Sequence, residues 1–192
     1  MEEILVNGST AYMAAGKQGL QIFVISDPEA PKQIGFYNDP SIIDYASFVD
    51  VNGSYAYVAD DRLMYIFDIV NPANPLLAST YDAGSYHCSF VVEDTYAYIL
   101  GDGFQVVDIS NPAMPVKAGF YSGVCGNALV KSGNLVYMAT DTSLQVMDVS
   151  IPGAPVIKGV CKIGGTPVDV AIKEGGIVVL LRFGGLRILE EG

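Results

Sequence analysis

Short apolar runs separated by turn residues recur along the whole chain, four to a copy. In the third copy they are Cys88 to Val92, Thr95 to Leu100, Phe104 to Ile109 and Val116 to Tyr121. Runs of this length, rich in Val, Ile, Tyr and Phe and without three-and-four spacing, predict strands rather than amphipathic helices. The chain is expected to be all-β. The second run of four copies carries an aligned tyrosine (Tyr12, Tyr57, Tyr98, Tyr137), and a turn pair precedes it: Asn7-Gly8, Asn52-Gly53, Glu93-Asp94 and Ser132-Gly133. Such pairs between strands signal hairpins.

The third run is apolar at successive positions, as in Phe104, Val106, Val107 and Ile109, or Met64, Ile66, Phe67 and Ile69. A strand of that kind is covered on both faces. Four-stranded antiparallel sheets stacked face to face meet the demand, which is the arrangement of a β-propeller. After each third run comes a turn with paired prolines: Pro28 and Pro31, Pro72 and Pro75, Pro112 and Pro115, Pro152 and Pro155. The spacings of 44, 40 and 40 residues give a period near forty, within the range of repeat architectures. A fifth copy begins with Pro167 to Ile172, Ile177 to Leu181 and Leu186 to Leu189, and a fourth run does not follow. The expectation is one propeller domain over 1–192, of about five four-stranded antiparallel blades, with repeats near 1–40, 41–84, 85–124, 125–164 and 165–192. The last blade lacks its outer strand.

The segments LQIFVIS, FQVVDIS and LQVMDVS, each followed by the two-proline turn, resemble the LVIVD repeat family of bacterial and archaeal proteins, over essentially all 192 residues. The resemblance implies a propeller and membership among proteins often placed at the cell surface or exported. It brings no catalytic motif. Two departures stand out: Val24 where other copies have Asp68, Asp108 and Asp148, and Cys161 where they have Tyr37, Tyr81 and Tyr121.

Composition narrows the picture. With 51% hydrophobic and 16% charged residues the chain has material for a packed core. No apolar run approaches the roughly 20 residues of a membrane-spanning helix, so membrane insertion is not expected. A net charge of -11 repels phosphate backbones, which disfavours nucleic acid as a partner. The acidic start MEEILVNGST is not a secretory signal. Cys88, Cys125 and Cys161 lack the close pairing of zinc sites and read as free, mostly packed thiols.

Candidate chemistry is confined to loops. Asp68, Asp108 and Asp148 precede the proline turns and read as acceptors for turn N–H groups. Loops expected on one face of the propeller carry Asp44, Tyr45, Asp60, Asp61, Asp82, Tyr86, His87, Asp102 and Asp141 as candidate binding residues. If Asp44, Asp60, Asp102 and Asp141 converged, Ca²⁺ would be the ion to suit them, with His87 as general base of a hydrolase or lactonase. No elbow serine or EF-hand spacing supports that chemistry, so no catalytic residue, metal ligand or cofactor is assigned. The reading favoured is a binding module for a protein or glycan partner. Self-association through the open edge Leu186–Leu189 is the other partnership expected; the alternative functions are the Ca²⁺-dependent hydrolase or lactonase and, further, a spacer role in an array of propellers.

Overall fold

A computed structural model describes residues 2–84, 89–173 and 176–189. The strands follow the repeat. The first sheet holds β1 (Glu3–Asn7), β2 (Thr10–Ala14), β3 (Leu20–Val24) and β4 (Lys32–Tyr37), paired in chain order. The second holds β5 (Phe48–Asn52), β6 (Tyr55–Ala59), β7 (Leu63–Asp68) and β8 (Leu76–Asp82). The third holds β9 (Ser89–Glu93), β10 (Tyr96–Gly101), β11 (Gly103–Asp108) and β12 (Val116–Tyr121). The fourth holds β13 (Gly126–Ser132), β14 (Leu135–Thr140), β15 (Ser143–Asp148) and β16 (Val156–Lys162). The fifth has three strands, β17 (Pro167–Lys173), β18 (Gly176–Leu181) and β19 (Gly185–Leu189). These are the blades of a β-propeller, the last one strand short, as the repeat predicts.

The chain divides into two compact units. One comprises Met1–His87, Val92–Tyr96 and Asp108–Val116, and the other Cys88–Val91, Ala97–Val107 and Lys117–Gly192. The core of the first joins Leu20 and Ile22 of β3 to Tyr65 and Phe67 of β7, with Ile43 and Ala46 added from the connection between blades. The core of the second joins Tyr137, Ala139 and Leu144 to Ile177, Val179 and Leu181.

Local chemistry explains the hairpins. Asn7 pairs with Thr10, Asn52 with Tyr55 and Ser132 with Leu135, so the first hairpins of the first, second and fourth blades have two-residue loops. The first loop residue has positive φ: Gly8 at 60°, Gly53 at 58°, Asp94 at 54° and Gly133 at 54°. One left-handed residue in first place is the pattern of a type II′ turn, which matches the strand twist. The loop therefore starts one residue later than an Asn-Gly type I′ reading would put it.

The outer strands share a second device. The register slips between Ile22 and Phe23, between Ile66 and Phe67, and between Val146 and Met147, leaving Ile34, Ala78 and Lys158 as bulge residues. In the first two blades the residue after the bulge lies against the proline turn of the following blade, and Gly119 of the third blade lies against the next one in the same way. A Cβ on Gly35 would sit 1.8 Å from the Pro72 carbonyl oxygen, and one on Gly119 would sit 2.1 Å from that of Pro152. Ser79 holds the same place in the second blade, and its Oγ donates to the Pro112 carbonyl at 2.5 Å. At Gly159 of the fourth blade a Cβ would meet nothing within 4 Å.

First strands are also linked from blade to blade. Glu3 accepts the Val49 N–H at 3.0 Å, and Ser89 Oγ accepts the Leu129 N–H at 3.3 Å. The half-buried Asp50 accepts N–H groups from Val51 and, at 2.7 Å, from Val92 of the next blade. Burial raises the Asp50 carboxyl above its ordinary value, outweighing those two bonds. The aspartates before the proline turns do what turn chemistry asks: Asp68, Asp108 and Asp148 accept the N–H of Val70, Ser110 and Ser150. Ser150 and Lys158 together hold Asp148 down to about 2.

One expectation needs correcting. Cys125 and Cys161 are free thiols but exposed rather than packed, because Cys161 lies on an outer strand and Cys125 in a connection between blades. Cys88 lies outside the described residues. No helix among those residues is long and apolar enough to cross a membrane.

Two outcomes test these contacts. In urea unfolding, Gly119→Ala should lose about 1 to 3 kcal/mol through overpacking, while Gly159→Ala should stay within about 0.5 kcal/mol of the parent. Equal losses would remove close approach as the reason for glycine. The raised Asp50 group binds its proton more readily in the folded than the unfolded chain, so its contribution grows as pH falls through its folded value. The stability difference between the parent and Asp50→Asn should therefore move in the parent's favour between pH 7 and about pH 4; a flat difference would contradict the shift.

Candidate functional site

The second blade and the connection leading into it build a loop cluster in which several expected residues meet. Residues 38–47 make a short turn after β4, with the N–H groups of Ile42 and Ile43 both donating to the Asp39 carbonyl at 2.9 Å. Ile43 and Ala46 are buried and anchor the segment in the core of its unit. Gly16 and Ala46 exchange two backbone bonds of 2.9 Å. Gly16 has φ 56°, and a Cβ there would lie 2.8 Å from Glu2 Oε1 and 2.9 Å from Tyr45 Cζ. Glycine at 16 thus lets the Tyr45 ring lie close, where its hydroxyl donates to Glu2 at 3.1 Å.

Facing this segment is the β6–β7 hairpin. Asp60 Oδ1 accepts the N–H of Arg62 at 2.8 Å and of Leu63 at 2.7 Å, which closes the turn. Its other oxygen lies 2.5 Å from the Tyr65 hydroxyl, and that hydroxyl lies 2.7 Å from the Ile42 carbonyl. Tyr65 is a buried strut from β7 to both walls. Burial first, and Asp60 second, push its phenol well above the ordinary tyrosine range. Arg62 makes a two-pronged pair with Asp82 at the end of β8, Nε to Oδ1 at 3.1 Å and Nη2 to Oδ2 at 2.5 Å. Both side chains are exposed, so the pair contributes orientation more than stability. Asp82 Oδ1 also accepts the Gly84 N–H at 2.9 Å.

The result is a cleft of about 210 Å³ lined by Asp44, Tyr45, Asp60, Asp61 and Arg62. Three carboxylates, a phenol and a guanidinium already engaged by Asp82 give it an acidic wall. Its chemistry is recognition of a hydrogen-bonding or cationic group.

Of the expected residues, Asp44, Tyr45, Asp60 and Asp61 therefore share one cleft, with Asp82 behind Arg62. Asp102 and Asp141 are exposed hairpin residues of the other unit. Tyr86 and His87 lie outside the described residues. Among those residues, no group of three or more His, Cys, Asp or Glu side chains is placed to hold a metal ion. Sequence reasoning passed over Tyr65 and Glu2 as supports of the cleft. Tyr65 had a signal: Gln21, Gln105 and Gln145 occupy its position in other copies.

The model of the LVIVD repeat matches residues 2–39, 44–83, 84–122 and 127–163. No curated protein matches the chain. Solved structures share its fold at low identity. The computationally designed Ika8 protein is 12% identical with a TM-score of 0.77, over 98% of this chain and 57% of that one. A functionally unknown protein from Desulfotomaculum acetoxidans is 12% identical with a TM-score of 0.79, over 98% and 68%. A protein from Lactobacillus plantarum is 14% identical with a TM-score of 0.77, over 95% and 67%. The chain thus spans little more than half the length of Ika8 and about two thirds of the other two.

The cleft geometry yields an expected outcome. Tyr65→Phe removes the hydroxyl that joins Asp60 to the Ile42 carbonyl and should cost about 1 to 3 kcal/mol in urea unfolding, since an acceptor is left unpaired. A neutral result would show that the strut carries no load.

Proposed function

The chain belongs to the LVIVD repeat family, and from that premise we propose that it is a non-enzymatic β-propeller binding module, one domain within a surface or secreted protein. The observation that carries the reading is the acidic cleft of Asp44, Tyr45, Asp60, Asp61 and Arg62. Its walls are fixed before any partner arrives: Asp60 by two turn N–H groups and Tyr65, Tyr45 by Glu2 and Gly16, and Arg62 by Asp82. Prefixed polar groups in a concave loop surface lower the ordering cost of binding. Loops on a rigid scaffold are where such recognition is usually placed. Asp44 and Asp61 supply the carboxylates open to solvent, which suits a cationic group such as a lysine or arginine side chain or an amino sugar. No observation favours the calcium-dependent hydrolase reading over this one.

The test is an array of cationic peptides and amino-sugar glycans probed with the parent chain and with Asp44→Asn/Asp61→Asn. A ligand bound through the cleft should weaken about tenfold or more in the double variant and weaken in the parent as salt rises. Ligands that bind both proteins equally would place recognition elsewhere.

A further inference from the structure

The same tetrapeptide, Val-Asn-Gly-Ser, forms the first hairpin of the first two blades, at 6–9 and at 51–54. The two hairpins are built alike. Asn7 pairs with Thr10 and Asn52 with Tyr55, each asparagine ends its first strand, and the glycine that follows has φ 60° or 58°. That glycine is a loop residue outside the strand pairing, so the ladder does not engage its N–H. Around Gly8 and Gly53 alike the space is open, with nothing within 4 Å of where a Cβ would stand.

One contact separates them. Asn52 Nδ2 donates to the main-chain carbonyl of Asp94, in the matching hairpin of the next blade, at 2.5 Å. For Asn7 the matching acceptor is the Gly53 carbonyl, and that bond is not made: the Asn7 amide has no hydrogen-bond partner among the described residues. All of these residues belong to the same compact unit. One side-chain amide is therefore tethered and the other is free to turn.

We propose that Asn7 is a site of self-modification, losing its amide through a cyclic imide formed with Gly8, while the tether protects Asn52. Glycine has no side chain to block approach to its nitrogen, which makes an asparagine-glycine pair the most open to this reaction. The Gly8 nitrogen attacks Asn7 Cγ, the Cγ–Nδ2 bond breaks, and the proton lost from Gly8 leaves with Nδ2 as ammonia. Water then opens the ring. Opening at Cγ gives aspartate, and opening at the main-chain carbonyl carbon gives isoaspartate, with the backbone routed through the side chain. Either product adds a negative charge, and isoaspartate lengthens the chain by one methylene inside the Asn7–Thr10 pair. At Asn52 the bond to Asp94 fixes the amide's orientation and engages the nitrogen that has to depart, a restraint that must be broken before ring closure. Strand pairing restrains both asparagines alike, so it does not set the difference. Asn7 takes no part in the acidic cleft, and failure here would leave the cleft reading untouched.

Peptide mapping by mass spectrometry tests it, on the 192-residue chain held in mildly alkaline buffer and sampled over time. In the folded chain Asn7 should convert about tenfold faster than Asn52, the factor that one hydrogen bond supplies. Aspartate and isoaspartate should both appear at position 7, with ammonia released in step. The same chain in guanidinium chloride is the control. There the tether is gone and the two identical tetrapeptides should convert at one rate. Equal rates in the folded chain would overturn the proposal, as would an Asn7 that stays intact when folded but converts when denatured. A difference that survives denaturation would overturn it too, since the contact with Asp94 would then not be its cause.

Discussion

A strand that is apolar on both sides has to be covered on both sides, and the rest of this structure depends on that requirement. The third strands carry Ile22, Ile66 and Val106 on one face and Phe67 and Val107 on the other, and these residues are fully buried. A single sheet supplies hydrogen-bonded neighbours but no cover. The cover comes from adjacent sheets of the same kind, and adjacency must be tight. The bulge in the outer strand and the small residue after it, Gly35 or Ser79, let the next proline turn come in against the backbone, and Gly119 does so in the third blade. Where the side chain is absent a Cβ would collide with the carbonyl; where it is serine the hydroxyl donates to it.

Much of this was legible before any coordinates. Alternation fails in the third runs, and that failure alone demands a sandwich of sheets. The proline pairs fix the period, and the missing fourth run after Leu189 fixes the three-stranded last sheet. The outer-strand bulge was not legible, because an extra residue in one strand leaves no mark in an apolar pattern. Nor was the two-residue loop beginning at Gly8, since Asn-Gly and Gly-Ser readings differ only in pairing register.

The candidate site was half legible for a physical reason. Carboxylates in hairpins can be counted in a sequence, but which of them share a cleft depends on connections between blades. The longer connection between the first two blades carries Ile43 into the core and thereby sets Asp44 and Tyr45 beside the Asp60 turn. The connections 122–125 and 163–166 also bury an apolar residue, Val124 and Ile163, but they carry no carboxylate, and Asp102 and Asp141 are exposed turn residues. Tyr65 was the overlooked piece, a phenol where sibling copies keep glutamine, long enough to reach the Ile42 carbonyl.

In all five sheets the strands pair in the order in which they are synthesised, each hydrogen-bonded to the one just before it. For an all-β protein that keeps the sequence separation of contacts small, and small separation favours fast formation. An emerging chain holds the hydrogen-bonding partners of one sheet before the next is made, while cover for the apolar faces of that sheet waits for its neighbours.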